Sequence, residues 1–554
     1  MTFFPFSFAC HALAVIGPPI LPGWADSHTG LRPFIAELVL ILTIVAVLLT
    51  PFFTRRSNRA SAAVVLAGLV VALVALLTIG MGDDVVGWRL AGMLVSDPAA
   101  IFWKILLLVF TIGIVLLWFA TTSITMHEGD GPEFFTLILG AVVGMCLMSE
   151  TTNLLMILIA VETSSLPSYV LAGFRKTDRV GAEASLKYVL FGAVTSSAMI
   201  YGVSLLYGIY GTLQLAGPDG LGARMLAGHG AAGPGSAALL ALAMFGILAG
   251  IGFKISAVPF HFWCPDVFEG AGIDVAAFLS VASKGAGLML LMRIFQTLGD
   301  TAGYAPHTAL PAIAAVIGTI AVVTATVGNT AAFVQTNIKR LLAYSSIAHA
   351  GYMLCAVSLF GQYLFARPAL QALLLYLAVY LFMNLGAFTV AGLIYRHSGS
   401  ENLSQYAGLG RRSPLLAFCM AVFMFSLVGL PPFAGFIAKV GILVALINAG
   451  SWWWILVAAV GVNTVLSLYY YARVVKIMYL QNSDEPAFSG APLGTGISIA
   501  CAAMLLLLFV GFDPMLRITG NCARFFTGPS STIAANSAAA SPAVSSAAQP
   551  GALP

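Results

Sequence analysis

Charge is what this sequence has least of. Of its 554 residues 8% are Asp, Glu, Lys or Arg, while 60% are hydrophobic. A soluble globular chain carries about 25% charged residues, so a soluble fold is excluded. Cysteine is scarce too: Cys10, Cys146, Cys264, Cys355, Cys419, Cys501 and Cys522 show no CxxC pair and no Cys/His spacing. An iron–sulfur cluster or a structural zinc needs closely set thiolates or imidazoles, so no redox metal is expected. There is no GxxxxGK[ST] loop and no strand followed by GxGxxG, so nucleotide binding is not encoded. No basic tract suggests nucleic acid as a partner. The net charge of +4 decides little, because in membrane chains the placement of Lys and Arg matters more than their sum. The opening MTFFPFSFACHALAVIGPPILPGW lacks the basic n-region of a signal peptide; it reads as an extension or a misplaced start codon.

What is present is a succession of apolar runs. A span needs about 20 apolar residues, and hydropathy places fourteen, at 33–53, 60–80, 99–122, 132–149, 151–173, 182–212, 237–262, 273–297, 308–329, 337–360, 367–395, 414–449, 452–480 and 491–511. The runs are too long for barrel strands, so an all-α polytopic membrane protein follows. Residues 527–554, rich in Ala, Ser and Pro, read as a disordered tail. Fourteen crossings put both termini on one side. Loops after odd-numbered spans hold eleven Lys and Arg and the terminal side holds six, so the positive-inside rule predicts both termini outside the cytoplasm.

Against this apolar ground six basic residues lie within spans: Lys104, Lys187, Lys254, Lys284, Arg293 and Lys439. A lysine at the bilayer centre costs roughly 2.5–3.5 kcal/mol on insertion scales. Lys104 and Arg293 lie near span ends, where a long side chain is expected to snorkel to the interface. Lys254, Lys284 and Lys439 are too deep for that, and Glu162 reads as the one deep acid. One carboxylate cannot pair three ammonium groups, so either water enters or some of the lysines are neutral at a given moment. A lysine that can lose its proton is a proton carrier. The competing reading is a static Glu–Lys pair joining two helices, with water solvating the rest.

Proline marks the same places. Span seven carries Pro259 after Lys254, with a polar connection from Cys264 to Asp274 expected beyond it. Span twelve, too long for a straight crossing, carries Gly429, Pro431 and Pro432 before Lys439. Such breaks at depth are tolerated where they line a wet cavity or are buried in protein. Paired breaks in two halves point to an inverted-repeat transporter with its site at the midplane. The breaks lie five spans apart, an odd number, so spans 4–8 (132–297) and 9–13 (308–480) are expected to be inverted copies. Around them stand an extension (1–32), helices 1–3 (33–131) and a last helix (491–511).

Four segments carry a family likeness: KISAVPFHFWCPDVFEGA, EASLKY at Glu183–Tyr188, QTNIKRLLAYSSIAHAGYML and SLVGLPPFAGFIAKV. Together they resemble subunit N of the proton-pumping NADH–quinone oxidoreductase (respiratory complex I), one of its three antiporter-like membrane subunits. PDVFEGA favours N over the sister subunits M and L. The resemblance covers roughly 33–511 and implies fourteen helices in two inverted five-helix units with helices 7 and 12 broken. It assigns a proton relay to Glu162 on helix 5, Lys187 near the cytoplasmic end of helix 6, Lys254 on helix 7, Lys284 on helix 8 and Lys439 on helix 12. Two departures stand out: Pro167 within TSSLPS of helix 5, and Gly270–Asp274 (GAGID) where the family has GAPTP.

The resemblance implies that protons enter near Lys187 and Lys254, with Glu162 tuning Lys254, and pass through Lys284 to Lys439. His349, mid-span, titrates in the working range and is a possible relay; a bond to a backbone carbonyl is its competing role. His261, beside Pro259, has a weaker claim. No cofactor is expected on this chain, since FMN, iron–sulfur clusters and quinone would belong to other subunits. The expected partners are the lipid bilayer and other membrane-arm subunits, notably M and K, in a bacterial inner membrane. A subunit of a multisubunit cation/proton antiporter and a purely structural membrane-arm subunit are the alternatives.

Overall fold

The computed structural model describes residues 31–524 apart from 55–56, 81–87, 122–125, 176–177, 218, 229–235, 303–309, 484–485 and 489. Most of the expected N-terminal extension and the whole tail therefore lie outside the described residues. The helices in chain order are α1 (Ile35–Phe53), α2 (Asn58–Ile79), α3 (Pro98–Thr121), α4 (Gly131–Glu150), α5 (Leu154–Ala172), α6 (Arg179–Tyr210), α7 (Ser236–Ile255) and α8 (Trp263–Gly270). Next come α9 (Ile273–Gly299), α10 (Leu310–Ala332), α11 (Ile338–Val357) and α12 (Tyr363–Ser398). The last are α13 (Pro414–Val428), α14 (Ala434–Ala449), α15 (Trp454–Leu480), α16 (Pro492–Val510) and α17 (Phe512–Ala523). A two-stranded hairpin, β1 (Trp88–Leu90) and β2 (Leu94–Ser96), precedes α3.

Among the described residues 13 helices are long and apolar enough to cross a membrane. The shorter α13 and α14 together make one further crossing, broken where span twelve was expected to break. The break after α7 differs in place. The helix stops at Ile255, one residue past Lys254, and Ser256 takes a positive φ of 63°. The expected polar connection from Cys264 is in fact the second half-helix α8, with Trp263, Cys264, Val267 and Phe268 buried. The sequence there reads as polar because Asp266 and Glu269 lie on its outward face.

The two halves share a local construction. Asn153 caps α5 and Asn337 caps α11, each side chain accepting from two backbone amides. Leu154 N donates to Leu213 O (2.8 Å) and Leu215 N to Thr152 O (2.9 Å); Ile338 N donates to Glu401 O (3.0 Å) and Leu403 N to Thr336 O (2.8 Å). The helices leading into those bridges, α6 and α12, both end on a left-handed glycine, Gly211 (φ 66°) and Gly399 (φ 69°). The same clasp recurs five crossings later, so its copies face opposite sides of the membrane.

The centre of the bundle is α9, α11 and α12, whose apolar windows are almost wholly buried, while α2, α6, α10, α15 and α16 present broad outward faces. A helix enclosed by protein can carry polar residues that lipid would exclude. The central three carry Lys284, His349, Tyr376 and Tyr380.

Candidate functional site: a row of buried lysines

The second break creates the acceptor that its lysine uses. In α13 the carbonyl of Val428 would be served by the amide of residue 432, but Pro432 has no N–H. Lys439 Nζ fills the vacancy, donating to Val428 O at 2.7 Å, and lies 4.6 Å from the Tyr352 ring centroid. Gly429 supplies the positive φ (85°) that ends α13. It also leaves room for the amine stem: a Cβ there would stand 2.8 Å from Lys439 Cδ. At the other break, Phe253 O accepts from Trp263 Nε1 (3.1 Å) and Lys254 O from Ser283 Oγ (3.4 Å), which tie α7 to α8 and α9.

Lys254, 1% exposed, donates to Ser165 Oγ at 3.1 Å. No ion pair joins it to Glu162 among the described residues, although Glu162 lies within electrostatic reach. Glu162 is one helical turn from Ser165 and is half-buried, on the outward stripe of α5 with Leu155, Ile159, Leu166 and Val170. Lys284 is fully buried. It donates to Ser346 Oγ (2.6 Å) and Cys264 Sγ (3.6 Å), and its ammonium stands 5.8 Å from the Phe268 ring. A π-helical turn, Leu279–Ser283, immediately precedes it. Such turns rotate the following side chains relative to a regular helix, and nothing in the sequence announced this one.

α11 forms the spine between Lys284 and Lys439. Ser346, His349 and Tyr352 follow one another at three-residue spacing, which keeps them on one helix face. His349 Nδ1 lies 2.7 Å from Tyr376 Oη and Nε2 3.3 Å from Tyr471 Oη, and Tyr471 bonds on to Ser345 Oγ. The backbone-carbonyl role that competed for His349 is therefore not realised; its partners are phenols. Tyr352 Oη accepts from Asn329 Nδ2 (2.9 Å), and Asn329 also bonds Tyr470 and Asn463. These tyrosines and asparagines are functional candidates that sequence reasoning missed. The signal available was the stripe of polar residues in YSSIAHAGY.

The repeat extends to this stripe. Glu162, Ser165 and Ser168 stand 9, 12 and 15 residues after the cap Asn153, as Ser346, His349 and Tyr352 stand 9, 12 and 15 after Asn337. Lys254 meets the middle position of the first stripe. Lys284 meets the first position of the second stripe and Lys439 packs on its last.

Other sequence candidates fall elsewhere. Lys187, with a side chain 40% exposed, pairs with Glu183 (2.8 Å) and Asp266 (2.8 Å). Arg340 completes this surface cluster through Asp266 (2.8 Å) and Glu269 (2.6 Å). Burial pushes the Asp266 carboxyl up, but hydrogen bonds from Lys187 and Arg340 outweigh it and hold it below the usual carboxylate range. His261 is buried in the first break, its ring 4.4 Å from that of Phe262, and its Nδ1 has no hydrogen-bond partner. The row just described runs past it.

Two expectations are corrected. Lys104 and Arg293 do not snorkel: Lys104 is fully buried on Glu37 (2.6 Å) and Glu150 (2.5 Å), and Arg293 is 2% exposed on Asp97 (2.6 Å). Nor is Glu162 the one deep acid. Glu37, Asp97, Glu150 and Asp274 are all at most 5% exposed. Neighbouring helices cover these span ends, which hydropathy alone does not register.

A bundle with two broken helices set around buried amines is the architecture of a membrane ion carrier. Residues 151–467 match the family described as NADH:quinone oxidoreductase/Mrp antiporter, TM. NADH-quinone oxidoreductase subunit N of Anaeromyxobacter sp. (strain Fw109-5) is 41% identical over 79% of this chain and 86% of its own length. Subunit N 2 of Sorangium cellulosum (strain So ce56) is 41% identical over 89% and 97%. Among solved structures, a chain of respiratory complex I from Thermus thermophilus with bound aureothin aligns with a TM-score of 0.70 and 32% identity, covering 87% of this chain and 98% of that one. The chain belongs to the NADH-quinone oxidoreductase subunit N family.

Proposed function

We propose that this chain is a proton-translocating membrane-arm subunit of NADH:quinone oxidoreductase, moving protons while other subunits carry electrons from NADH to quinone. One observation carries the reading: Lys254, Lys284 and Lys439 are buried on neutral acceptors, namely two serine hydroxyls and a backbone carbonyl. A buried ammonium without a counter-ion is costly. Its protonated form is therefore a passing state, and the proton is available to the next base. Protons enter near the Lys187 cluster, reach Lys254, and pass to Lys284. They continue along the Ser346–His349–Tyr352 stripe to Lys439 and leave on the outer side, with water filling gaps that side chains do not bridge.

Glu162 sets the affinity of Lys254 from outside the bundle. Its place on an outward apolar stripe calls for a protein cover, because a carboxylate facing lipid is disfavoured. A neighbouring membrane-arm subunit such as K or M supplies that cover and the coupling signal. The chain sits in the bacterial inner membrane with both termini outside the cytoplasm. It holds no redox centre of its own; FMN, iron–sulfur clusters and quinone belong to its partners.

The test is proton pumping by inverted vesicles carrying the complex with Lys254→Ala or Glu162→Ala. Both variants are expected to assemble and to lose pumping together with coupled quinone reduction. Full stoichiometry in both would end the assignment. Sodium-dependent transport by the unaltered complex would favour the antiporter branch of the matched family instead.

A further inference from the structure

Outside the lysine row lies a second set of buried charges, which the pumping route does not use. Glu37 in the first turn of α1, Lys104 in α3 and Glu150 at the end of α4 meet at one ammonium: Lys104 Nζ is 2.6 Å from Glu37 Oε1 and 2.5 Å from Glu150 Oε1. Asp97 and Arg293 stand beside them, joined at 2.6 Å. None of the five is more than 5% exposed. Three carboxylates face two cations, so the cluster as drawn carries one uncompensated negative charge. Removing an ion from water costs several kcal/mol even after relaxation, and an unbalanced one has nothing to offset that cost.

The hydrogen bonds say where the balancing proton sits. Asp97 is satisfied as an anion: Oδ1 accepts from Ala100 N (2.8 Å) and Oδ2 from Arg293 Nη1 (2.6 Å). Arg293 Nε donates to Ser149 O (2.8 Å) and Nη1 also to Gln296 Oε1 (3.0 Å), while its buried Nη2 has no hydrogen-bond partner. The two glutamates are different. Each places Oε1 on Lys104, and each has a buried Oε2 with no hydrogen-bond partner. An ionised carboxylate wants several donors, and these have one ammonium between them. Apart from the Arg293 guanidinium, already counted, whose charge also reaches Glu150, the remaining polar neighbours add no charge: the Cys146 thiol on α4, the Pro33 carbonyl at 3.5 Å from Lys104 Nζ, and the Phe34 ring at 5.4 Å.

We infer that Glu37 and Glu150 share one bound proton across Lys104, forming a second protonation site at the α1–α3–α4 end of the bundle. It is separate from the lysine row but adjacent to it. Gly285, next to Lys284, has no side chain, and the Trp103 indole fills that space, so that a Cβ there would collide with the ring. Trp103, the residue before Lys104 on α3, thus packs on the residue after Lys284 on α9. Glu37 lies in the first turn of α1 and Glu150 is the last residue of α4, so the site is built where these helices end.

The test is infrared spectroscopy of the whole complex at rest, in H2O and D2O, where a protonated carboxylic acid shows a C=O stretch that shifts on deuteration. Glu37→Gln and Glu150→Gln are each expected to remove one such band relative to the unaltered complex, because the remaining carboxylate then pairs with Lys104 as an ion. Lys104→Met is expected to do the opposite and add one band, since a second proton is needed when the ammonium is lost. If neither glutamine variant loses a band, or one does and the other does not, the shared proton is refuted. No change of sign with Lys104→Met refutes it as well. The opposed signs keep the test decisive if one variant fails to assemble. The readout needs no turnover, so failure of the pumping route leaves it untouched.

Discussion

Buried lysines in this protein are treated in two ways. Lys104 and Lys339 are locked to carboxylates, Lys104 to Glu37 and Glu150 and Lys339 to Glu401 at 2.6 Å. Lys254, Lys284 and Lys439 have no carboxylate within ion-pair distance among the described residues and rest on a hydroxyl or a carbonyl. Breaking a buried ion pair by removing one partner leaves an uncompensated charge and costs about 3–5 kcal/mol. Such groups hold helices together. An amine on a neutral acceptor leaves no orphaned charge when it is lost, so its removal touches function more than assembly. The difference sorts carriers from fasteners where burial alone does not.

Substitutions can break that division. Lys284→Ala should have the largest effect on transport, lowering pumping by about a hundredfold, as expected when a proton-transfer group is removed. The amount of assembled complex on a native gel should stay near normal; loss of assembly would move Lys284 to the fasteners. Arg293→Ala should act the other way. Asp97 loses its guanidinium and stays buried, so stability should drop by about 3–5 kcal/mol, seen as poor assembly or a lowered thermal midpoint of the complex. A mild Arg293→Ala phenotype would revive the snorkelling expected from the sequence.

His349→Phe should be intermediate. The ring volume is kept but both phenol contacts are lost, so pumping should slow while the complex assembles; an unchanged rate would remove α11 from the route. Lys187→Ala should be smallest in stability, below about 1 kcal/mol for a part-exposed pair. Its partner Asp266 titrates below the ordinary carboxylate range. The contact is therefore fully present at neutral pH and is lost only as acid brings the pH down through that lowered value. A Lys187→Ala stability difference that varies between mildly acidic and neutral pH would contradict this.

How much of this was legible beforehand depends on the residue. The break at Gly429–Pro432 could be read directly, because a missing N–H acts locally whatever surrounds it; Pro259 announced the other, although that helix already stops at Ile255. So could the polar stripe of α11, had its three-residue spacing been weighed against the apolar run. Lys104 and Arg293 were misjudged because the expected spans began at 99 and ended at 149. Those limits left Asp97 and Glu150 just outside, while Glu37, inside the first expected span, gave no sign that it meets Lys104 from another helix. The π-turn before Lys284 and the half-helix α8 have no local signature, since both depend on what α9 and α8 pack against.

The sequence by itself determined that the chain crosses the membrane many times, that two of its helices break, and that Lys254, Lys284 and Lys439 lie at depth. Those properties follow from hydropathy, from the missing amide of proline and from the length of a helical crossing. Only the tertiary structure decided which amine meets a carboxylate and which meets a hydroxyl. Those partners lie on different helices, far apart in the chain, and the packing of α3 against α1 and α4, or of α9 against α11, fixes whether a lysine becomes a clamp or a carrier.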